Sequence, residues 1–214
     1  MQKTKQPSAH PAEQRIILHG ISWETHESLL ADHEDKSSPR FAYDKGALEI
    51  MSPSPARERA NRDLAMLVEV IFEEWGVDIA NFGSTIYKRE DIERGFEPDS
   101  CFYIENEPLA RDKDRLDLDE DPPPDLVTEI DVTSFSLDKL PLYVSIGVPE
   151  VWRCEDAKLE ILLLDGDSCR KFIESKCLPG IQSTTLTNLM RKRKTLGRIE
   201  WLKKIREAAR KKAR

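Results

Sequence analysis

The sequence predicts a single α/β domain in which helices flank a central mixed β-sheet. A chain of 214 residues suits one compact domain with peripheral additions. Apolar side chains recur every three or four positions from Ala60 to Trp75, which is typical of one face of a helix. Short apolar or alternating runs on both sides of this helix predict strands. We expect the domain to cover residues 15–190, between a disordered segment at 1–14 and a basic helical tail at 191–214.

The first part of the chain is predicted to contain a helix, a hairpin and then the long helix. Ser22 is a candidate N-cap for the first helix. Asp44-Lys45-Gly46 joins two short alternating runs between residues 40 and 51, which is typical of a β-hairpin. The long helix follows a Ser-Pro-Ser-Pro sequence and is expected to end at Gly76.

The second part is predicted to be mostly strands. Residues 110–124 are rich in Asp, Lys, Arg and Pro, so they cannot bury an apolar face and should form an exposed loop. The expected strands are 79–87, 99–104, 126–132, 149–154, 159–164 and 170–175, with helices at 134–146 and 197–213.

Composition limits the class of protein. No apolar segment reaches the roughly 18 residues that a membrane-spanning helix needs. The polar N-terminus lacks the hydrophobic segment of a signal peptide. The four cysteines lack the C-x-x-C pairs of a zinc ribbon. We therefore expect a cytosolic protein with no membrane partner and with reduced thiols.

The charge of the chain is unevenly distributed. The net charge is −7, but residues 191–214 carry twelve Lys and Arg and two Glu. The tail is thus +10 and the remaining residues are −17. Such a tail can bind a polyanion such as DNA, or it can pack on its own acidic body or on a second subunit. Charge alone does not distinguish these alternatives.

Two neighbouring predicted strands each carry a carboxylate. Asp99 follows Pro98 at the start of one strand, and Glu129 lies inside the next. Alternation along that strand places Glu129 and Asp131 on the same face. Carboxylates are the ligands that Mg²⁺ prefers, and a divalent ion promotes phosphodiester hydrolysis. With Lys139 nearby, this pattern predicts a metal-dependent site for phosphate chemistry.

Each of these residues also has a structural interpretation. Asp99 could cap the turn after Pro98, and Lys139 could be a surface residue at a helix start. Glu129 is harder to explain in this way, because a buried carboxylate without a partner costs several kcal/mol. Asp125, after three prolines, is expected to be structural. Two nearby carboxylates repel each other, so removal of one could stabilise the metal-free protein.

Several segments, in this order, resemble a known nuclease family. The order of helix, strand, Pro-Asp strand, Glu-x-Asp strand and helix is similar to the PD-(D/E)xK nuclease core, and more closely to the Uma-type family of restriction-endonuclease-like proteins. The resemblance covers over half the chain. Its segments are Gly46-Ala47-Leu48-Glu49-Ile50-Met51-Ser52-Pro53, Phe96-Glu97-Pro98-Asp99, Pro124-Asp125-Leu126-Val127-Thr128-Glu129-Ile130, and Asp138 to Tyr143 leading into Gly147-Val148-Pro149-Glu150-Val151-Trp152.

The resemblance implies a restriction-endonuclease-like core that hydrolyses DNA with Mg²⁺ or Mn²⁺. Asp99 and Glu129 would bind the metal, and a lysine would position the water or contact the phosphate. The superfamily signature has this lysine two residues after the glutamate, where this chain has Asp131, so Lys139 is the nearest candidate. Asp131 would then be a third acidic ligand, and Glu49 is preferred to Glu58 as the early acidic residue.

The resemblance leaves open whether the site is catalytic, which substrate it takes and which oligomer the protein forms. Such nucleases commonly need two active sites to cut both strands, which favours a homodimer. One alternative is a non-catalytic DNA-binding or assembly module of the same fold. Another is a metal-dependent hydrolase of RNA or nucleotides. Three histidines, His19, His26 and His33, recur every seven residues rather than every four, and are predicted to be surface residues.

Overall fold

The computed structural model describes residues 13–33, 38–131 and 137–211, without the side chain of Asp131. It confirms the mixed α/β fold. The helices are α1 (Trp23–Asp32), α2 (Pro55–Trp75), α3 (Glu107–Ala110), α4 (Leu140–Ile146), α5 (Ser183–Arg193) and α6 (Arg198–Arg210). The strands are β1 (Gln14–His19), β2 (Arg40–Asp44), β3 (Ala47–Ser52), β4 (Ala80–Gly83), β5 (Tyr87–Arg89), β6 (Arg94–Phe96), β7 (Ser100–Tyr103), β8 (Leu126–Asp131), β9 (Glu150–Glu155), β10 (Lys158–Asp165) and β11 (Ser168–Phe172).

Two sheets organise the strands. The five-stranded sheet has the order β1-β3-β2-β6-β5 and is antiparallel throughout. The six-stranded sheet has the order β11-β10-β9-β8-β7-β4, with β8 and β9 parallel and the other neighbours antiparallel. The second sheet is therefore the predicted mixed sheet. The chain first enters it at β4, returns to the first sheet for β5 and β6, and passes back to the second sheet between β6 and β7.

The predicted hairpin and long helix are both present. Lys45 and Gly46 connect β2 to β3 with φ angles of 47° and 91°, the left-handed conformation of a tight turn. Ser54 caps α2 by accepting a hydrogen bond from the backbone N–H of Arg57 at 3.2 Å. Gly76 ends the helix at φ 67°. One face of α2 is buried against β8 and against α5 and α6.

Some predicted elements differ from the structure. The run 79–87 was expected to be one strand, but it divides at Gly83 into β4 and β5, which belong to different sheets. Helix α5 was not predicted, and the expected boundary at residue 190 falls within it. Residues 1–12 of the predicted disordered segment, and 134–136 of the predicted helix 134–146, lie outside the described residues.

The basic C-terminal helix packs on the domain. Trp201, Ile205 and Ala209 of α6 are fully buried in the same core as α2. The Trp201 indole N–H donates to the carbonyl of Leu189 at 2.8 Å. The sequence predicts an apolar stripe on this helix, formed by Ile199, Leu202, Ile205 and Ala209. That prediction is only partly correct, because Ile199 is 75 % exposed.

The prediction for His26 is wrong, whereas His19 is exposed as expected. His26 is 1 % exposed, and its ring stacks on Tyr43 at 4.9 Å between centroids. Gly95 lies beneath the ring, where an added Cβ would approach the His26 Cε1 to 2.6 Å. Burial lowers the pKa of His26 to about 4.

Among the described residues, no helix combines the length and apolar character needed to cross a membrane.

Candidate active site

Asp99 lies at the passage between the two sheets, immediately before β7. Its side chain is 1 % exposed. Arg57 donates to both carboxylate oxygens, from Nε to Oδ1 at 3.1 Å and from Nη2 to Oδ2 at 2.7 Å. The backbone N–H of Ile130 in β8 donates to Oδ2 at 2.7 Å, and Arg40 forms a further short ion pair with Oδ1. The carboxylate of Asp99 therefore connects α2, β2 and β8.

Glu129 lies on β8, the neighbour of β7, as the sequence predicted. Its side chain is 12 % exposed. Lys139 Nζ is 3.2 Å from Oε1, and the Tyr143 hydroxyl also donates to that oxygen. Arg57 Nη2 is 3.4 Å from the other oxygen, Oε2. The structure therefore brings Glu129, Lys139 and Asp99 together around one guanidinium.

Lys139 precedes α4 and is held from two sides. Its amine donates to the carbonyl of Glu97 at 3.3 Å as well as to Glu129. The Glu97 carboxylate accepts a hydrogen bond from the backbone N–H of Phe41 at 3.1 Å. The side chain of Lys139 is 12 % exposed. The predicted lysine thus points into the site rather than into solvent.

The two carboxyl groups have opposite pKa shifts. Burial alone would raise the pKa of Asp99, but Arg57, Lys139 and Arg40 outweigh burial and lower it below its usual value. Burial raises the pKa of Glu129, and the negative charge of Asp99 adds to this effect against the opposing charge of Lys139. Burial and the proximity of Glu129 raise the pKa of Tyr143, so its hydroxyl remains a donor. Of the two carboxyl groups, Asp99 therefore loses its proton more readily.

The remaining predicted site residues lie apart from this pair or outside the described residues. Glu49 on β3 accepts from Arg15 at 3.3 Å and from the backbone N–H of Leu137 at 2.7 Å. Its link to Arg57 is indirect: Arg15, the partner of Glu49, also forms an ion pair with Glu13, and Glu13 forms one with Arg57. Asp131 ends β8, and its side chain is in the part of the chain that the structure does not describe.

Asp125 has the structural role expected of it. Its carboxylate accepts from the backbone N–H groups of Ile104 at 2.6 Å and Asn106 at 3.1 Å, which fixes the turn after β7.

Sequence reasoning missed the two arginines of the site. Arg40 and Arg57 are buried with 6 % and 2 % exposure, respectively. A signal was available for Arg57, because it follows the helix N-cap by three residues and shares the side of α2 that carries Ala60 and Leu64. An arginine on an apolar helix face needs a buried anionic partner.

The carboxylates of the site suit a divalent cation. Within the described residues, no three His, Cys, Asp or Glu side chains converge on a common point. Two carboxylates suffice for Mg²⁺, which keeps several of its waters. One oxygen of Asp99 and one of Glu129 already face a single positive group, Nη2 of Arg57. The pair therefore fits a hard cation in chemistry and convergence, at the position that Arg57 occupies.

A cavity of about 790 Å³ opens beside Asp99 along α2. Asp99, Ser100 and Arg40 lie at its inner wall, whereas Arg59, Arg62 and others line the outer part. Three exposed lining arginines, Arg59, Arg62 and Arg198, have no acidic partner among the described residues. The cavity thus extends from the buried carboxylate of Asp99 to these three arginines.

Comparisons with known proteins identify the family and the fold of the chain. The Uma2 family model, described as "Putative restriction endonuclease", matches residues 23–191. A solved structure described as "a putative nuclease belonging to DUF820" from Anabaena variabilis has the same fold, with a TM-score of 0.53 at 14% identity. The match covers 79% of this chain and 99% of that one. No curated protein matches the chain.

Proposed function

Because the chain belongs to the Uma2 family of restriction-endonuclease-like proteins, whose general type uses divalent metals, we propose that it is a DNA endonuclease dependent on Mg²⁺ or Mn²⁺. The supporting observation is the convergence of Asp99 and Glu129 on one positive group, with Lys139 beside them. We further propose a cytosolic homodimer, since cutting both strands takes two such sites.

The proposed roles follow from the contacts. Asp99 and Glu129 hold the cation, with Asp131 as a candidate third ligand. When bound, a divalent ion neutralises charge on the phosphate and lowers the pKa of the attacking water. Lys139 is positioned by Glu97 and Glu129 to donate to a phosphate oxygen.

Two further side chains have supporting roles in this proposal. The Tyr143 hydroxyl fixes the orientation of Glu129 through its hydrogen bond. Glu49 supports the site indirectly, through Arg15 and Glu13.

The cavity beside Asp99 is the proposed path of the DNA backbone. Arg59, Arg62 and Arg198 are free to contact phosphates, because no carboxylate in the described parts of the chain pairs with them. The cations of the tail contrast with them. Arg206 and Arg210, for example, form ion pairs with Glu73 and Glu74.

Plasmid cleavage tests the catalytic proposal. Supercoiled DNA is incubated with the wild type in Mg²⁺ or Mn²⁺, and the rate is compared with those of Glu129→Gln and Lys139→Ala. Both variants should lose cleavage by at least a hundredfold, as is typical when a catalytic group is removed. Glu207→Gln, on the exposed surface of α6, is the matched control and should keep the rate. Equal cleavage by the wild type and Glu129→Gln would refute the assigned site.

DNA affinity across a salt series tests the path. The triple variant Arg59→Ala, Arg62→Ala and Arg198→Ala should reduce the slope of log K against log salt by up to about 0.9 for each phosphate that the protein no longer binds. The control removes three paired cations, Lys194, Arg206 and Arg210, and so makes the same change in net charge. Equal slopes for the two variants would contradict the cavity as the path.

A non-catalytic DNA-binding module is the second candidate, and one observation favours it. Arg57 and Arg40 together neutralise Asp99 in the absence of any metal. Such a module would bind DNA through the three unpaired arginines, without cleavage by the wild type at any Mg²⁺ or Mn²⁺ concentration.

A further inference from the structure

The guanidinium of Arg57 lies where the two candidate metal ligands converge. Its Nη2 is 2.7 Å from Asp99 Oδ2 and 3.4 Å from Glu129 Oε2, and its Nη1 is 3.2 Å from Glu13 Oε2. The side chain is 3 % exposed. A buried positive group between two carboxylates offsets their mutual repulsion, which is also what a cation bound there would do.

We infer that Arg57 is the resident cation of this site and sets its affinity for divalent ions, because a metal reaches Asp99 and Glu129 only when the guanidinium withdraws. The inference deepens the proposed function and rests on it in one respect, the assumption that a metal binds between these two carboxylates. It adds a determinant of metal affinity that is not itself a metal ligand.

Competition follows from the geometry of the hydrogen bonds. Arg57 uses Nε and Nη2 on Asp99, so both oxygens of this carboxylate already accept from the guanidinium. An ion bound to the same oxygens would lie next to a buried like charge, which is strongly unfavourable. Glu13 gives the displaced guanidinium a second anionic partner at its other end.

Arg40 provides a matched comparison, because it also bonds to Asp99 without reaching Glu129. Its second contact is Glu58, at 2.6 Å from Nη2. Removal of Arg40 takes away the same charge from the same carboxylate, but Arg57 still occupies the shared position, which is the point between Asp99 and Glu129. A general electrostatic effect would act equally through both arginines, whereas occupation of the shared position acts through Arg57 alone.

Metal affinity is the direct test, measured by calorimetry and by the shift in melting temperature with MgCl₂ and MnCl₂. The full-length variants are Arg57→Ala, Arg57→Lys and Arg40→Ala. We expect Arg57→Ala to bind at least tenfold more tightly than Arg40→Ala and the wild type. Arg57→Lys keeps the positive charge but loses the two-pronged contact with Asp99, so its affinity for the metal should lie between those of the wild type and Arg57→Ala. Equal affinity of Arg57→Ala and Arg40→Ala would overturn the inference.

A wild-type measurement avoids dependence on the folding of any variant. The Nε–H proton of Arg57 is buried and bonded to Asp99, so it should exchange slowly and give a distinct NMR signal without metal. Saturating Mg²⁺ should shift this signal and accelerate its exchange. Mg²⁺ bound at the site with an unchanged Arg57 signal would overturn the inference.

The inference and the proposed function can fail separately. Tight metal binding by Arg57→Ala without DNA cleavage would refute the nuclease proposal and leave the competition intact. Conversely, suppose that the wild type and Arg57→Ala both cleave DNA and need the same Mn²⁺ concentration to reach half of their maximal rates. That result would support the nuclease proposal and refute the competition.

Discussion

Arginines and carboxylates form ion pairs both around Asp99 and on the surface of the C-terminal helix α6. The side chains of these pairs are buried around Asp99 and more exposed on α6. The side chains of Asp99, Arg57 and Arg40 are between 1 % and 6 % exposed. On α6, Arg206 is 32 % exposed and Arg210 is 65 % exposed. Because water screens exposed pairs, the two regions should contribute very differently to stability although their chemistry is the same. A count of ion pairs is therefore a poor guide to their importance.

The largest effect should come from Asp99→Ala. The change leaves Arg57 and Arg40 buried without their main partner, and such a loss typically costs about 3–5 kcal/mol. This reverses the expectation from sequence that removal of a carboxylate relieves repulsion. Urea unfolding at pH 7 measures the effect, and a variant as stable as the wild type would contradict the ion-pair interpretation.

The acid side of the stability curve offers a check on the same group. Since the folded state lowers the pKa of Asp99, its contribution is complete above the unfolded pKa and is lost as the pH falls through the lower, folded value. Asp99→Ala should lack this part of the acid transition.

An apolar anchor, rather than charge, should hold α6. Trp201 is fully buried, and Trp201→Ala should cost about 3–5 kcal/mol because it opens a cavity and leaves the Leu189 carbonyl without its donor. The matched control is Ile199→Ala on the same helix, which is 75 % exposed and should change stability by less than about 0.5 kcal/mol. Thermal unfolding distinguishes them, and equal effects would show that α6 contributes no specific packing.

His26 represents a third arrangement, a buried titratable group that stays neutral. Its pKa of about 4 lies below the unfolded value of 6.5. Stability from this group is therefore complete above pH 6.5 and is lost as the pH falls from 6.5 to 4, by about 3 kcal/mol in total. His26→Phe should remove this part of the pH dependence in urea unfolding. A parallel pH profile for the two proteins would place the titrating group elsewhere.

The smallest effect is expected from the ion pairs on α6. Arg206→Ala combined with Arg210→Ala should lower the melting temperature far less than Asp99→Ala does, and less still at high salt. Melting temperatures at low and high salt give the measurement. A loss as large as that of Asp99→Ala would remove the contrast between the two regions.

Local sequence features were enough to predict much of the fold. The apolar period and Gly76 located α2, and Lys45-Gly46 located the β2–β3 turn, because each signal arises within a few residues. The division of 79–87 between two sheets was not predictable, because it depends on pairing with β6 and β7.

The carboxylates and the lysine of the candidate site were predictable from the sequence, but its arginines were not. Glu129 was recognisable because a carboxylate inside an apolar strand needs a partner, and Asp99 because its Pro-Asp segment resembles that of the nuclease core. Arg40 and Arg57 were missed, because their partners are far away in sequence and an arginine ordinarily belongs on the surface. Only Arg57 left a signal, its position on the apolar face of α2. Lys139 was selected for its proximity to Glu129 in sequence, and its amine lies 3.2 Å from that carboxylate, whereas its role stays a prediction.

The long sequence separations around Asp99 have a kinetic consequence. Its partners Arg40, Arg57 and Ile130 are 59, 42 and 31 residues away along the chain. Contacts of this range become favourable only after the loops between them have closed. We therefore expect these bonds to form late in folding, so that Asp99→Ala accelerates unfolding far more than it slows refolding in stopped-flow experiments. The buried ion pairs would then govern how long each molecule stays folded, and with it resistance to proteolysis limited by the unfolding rate.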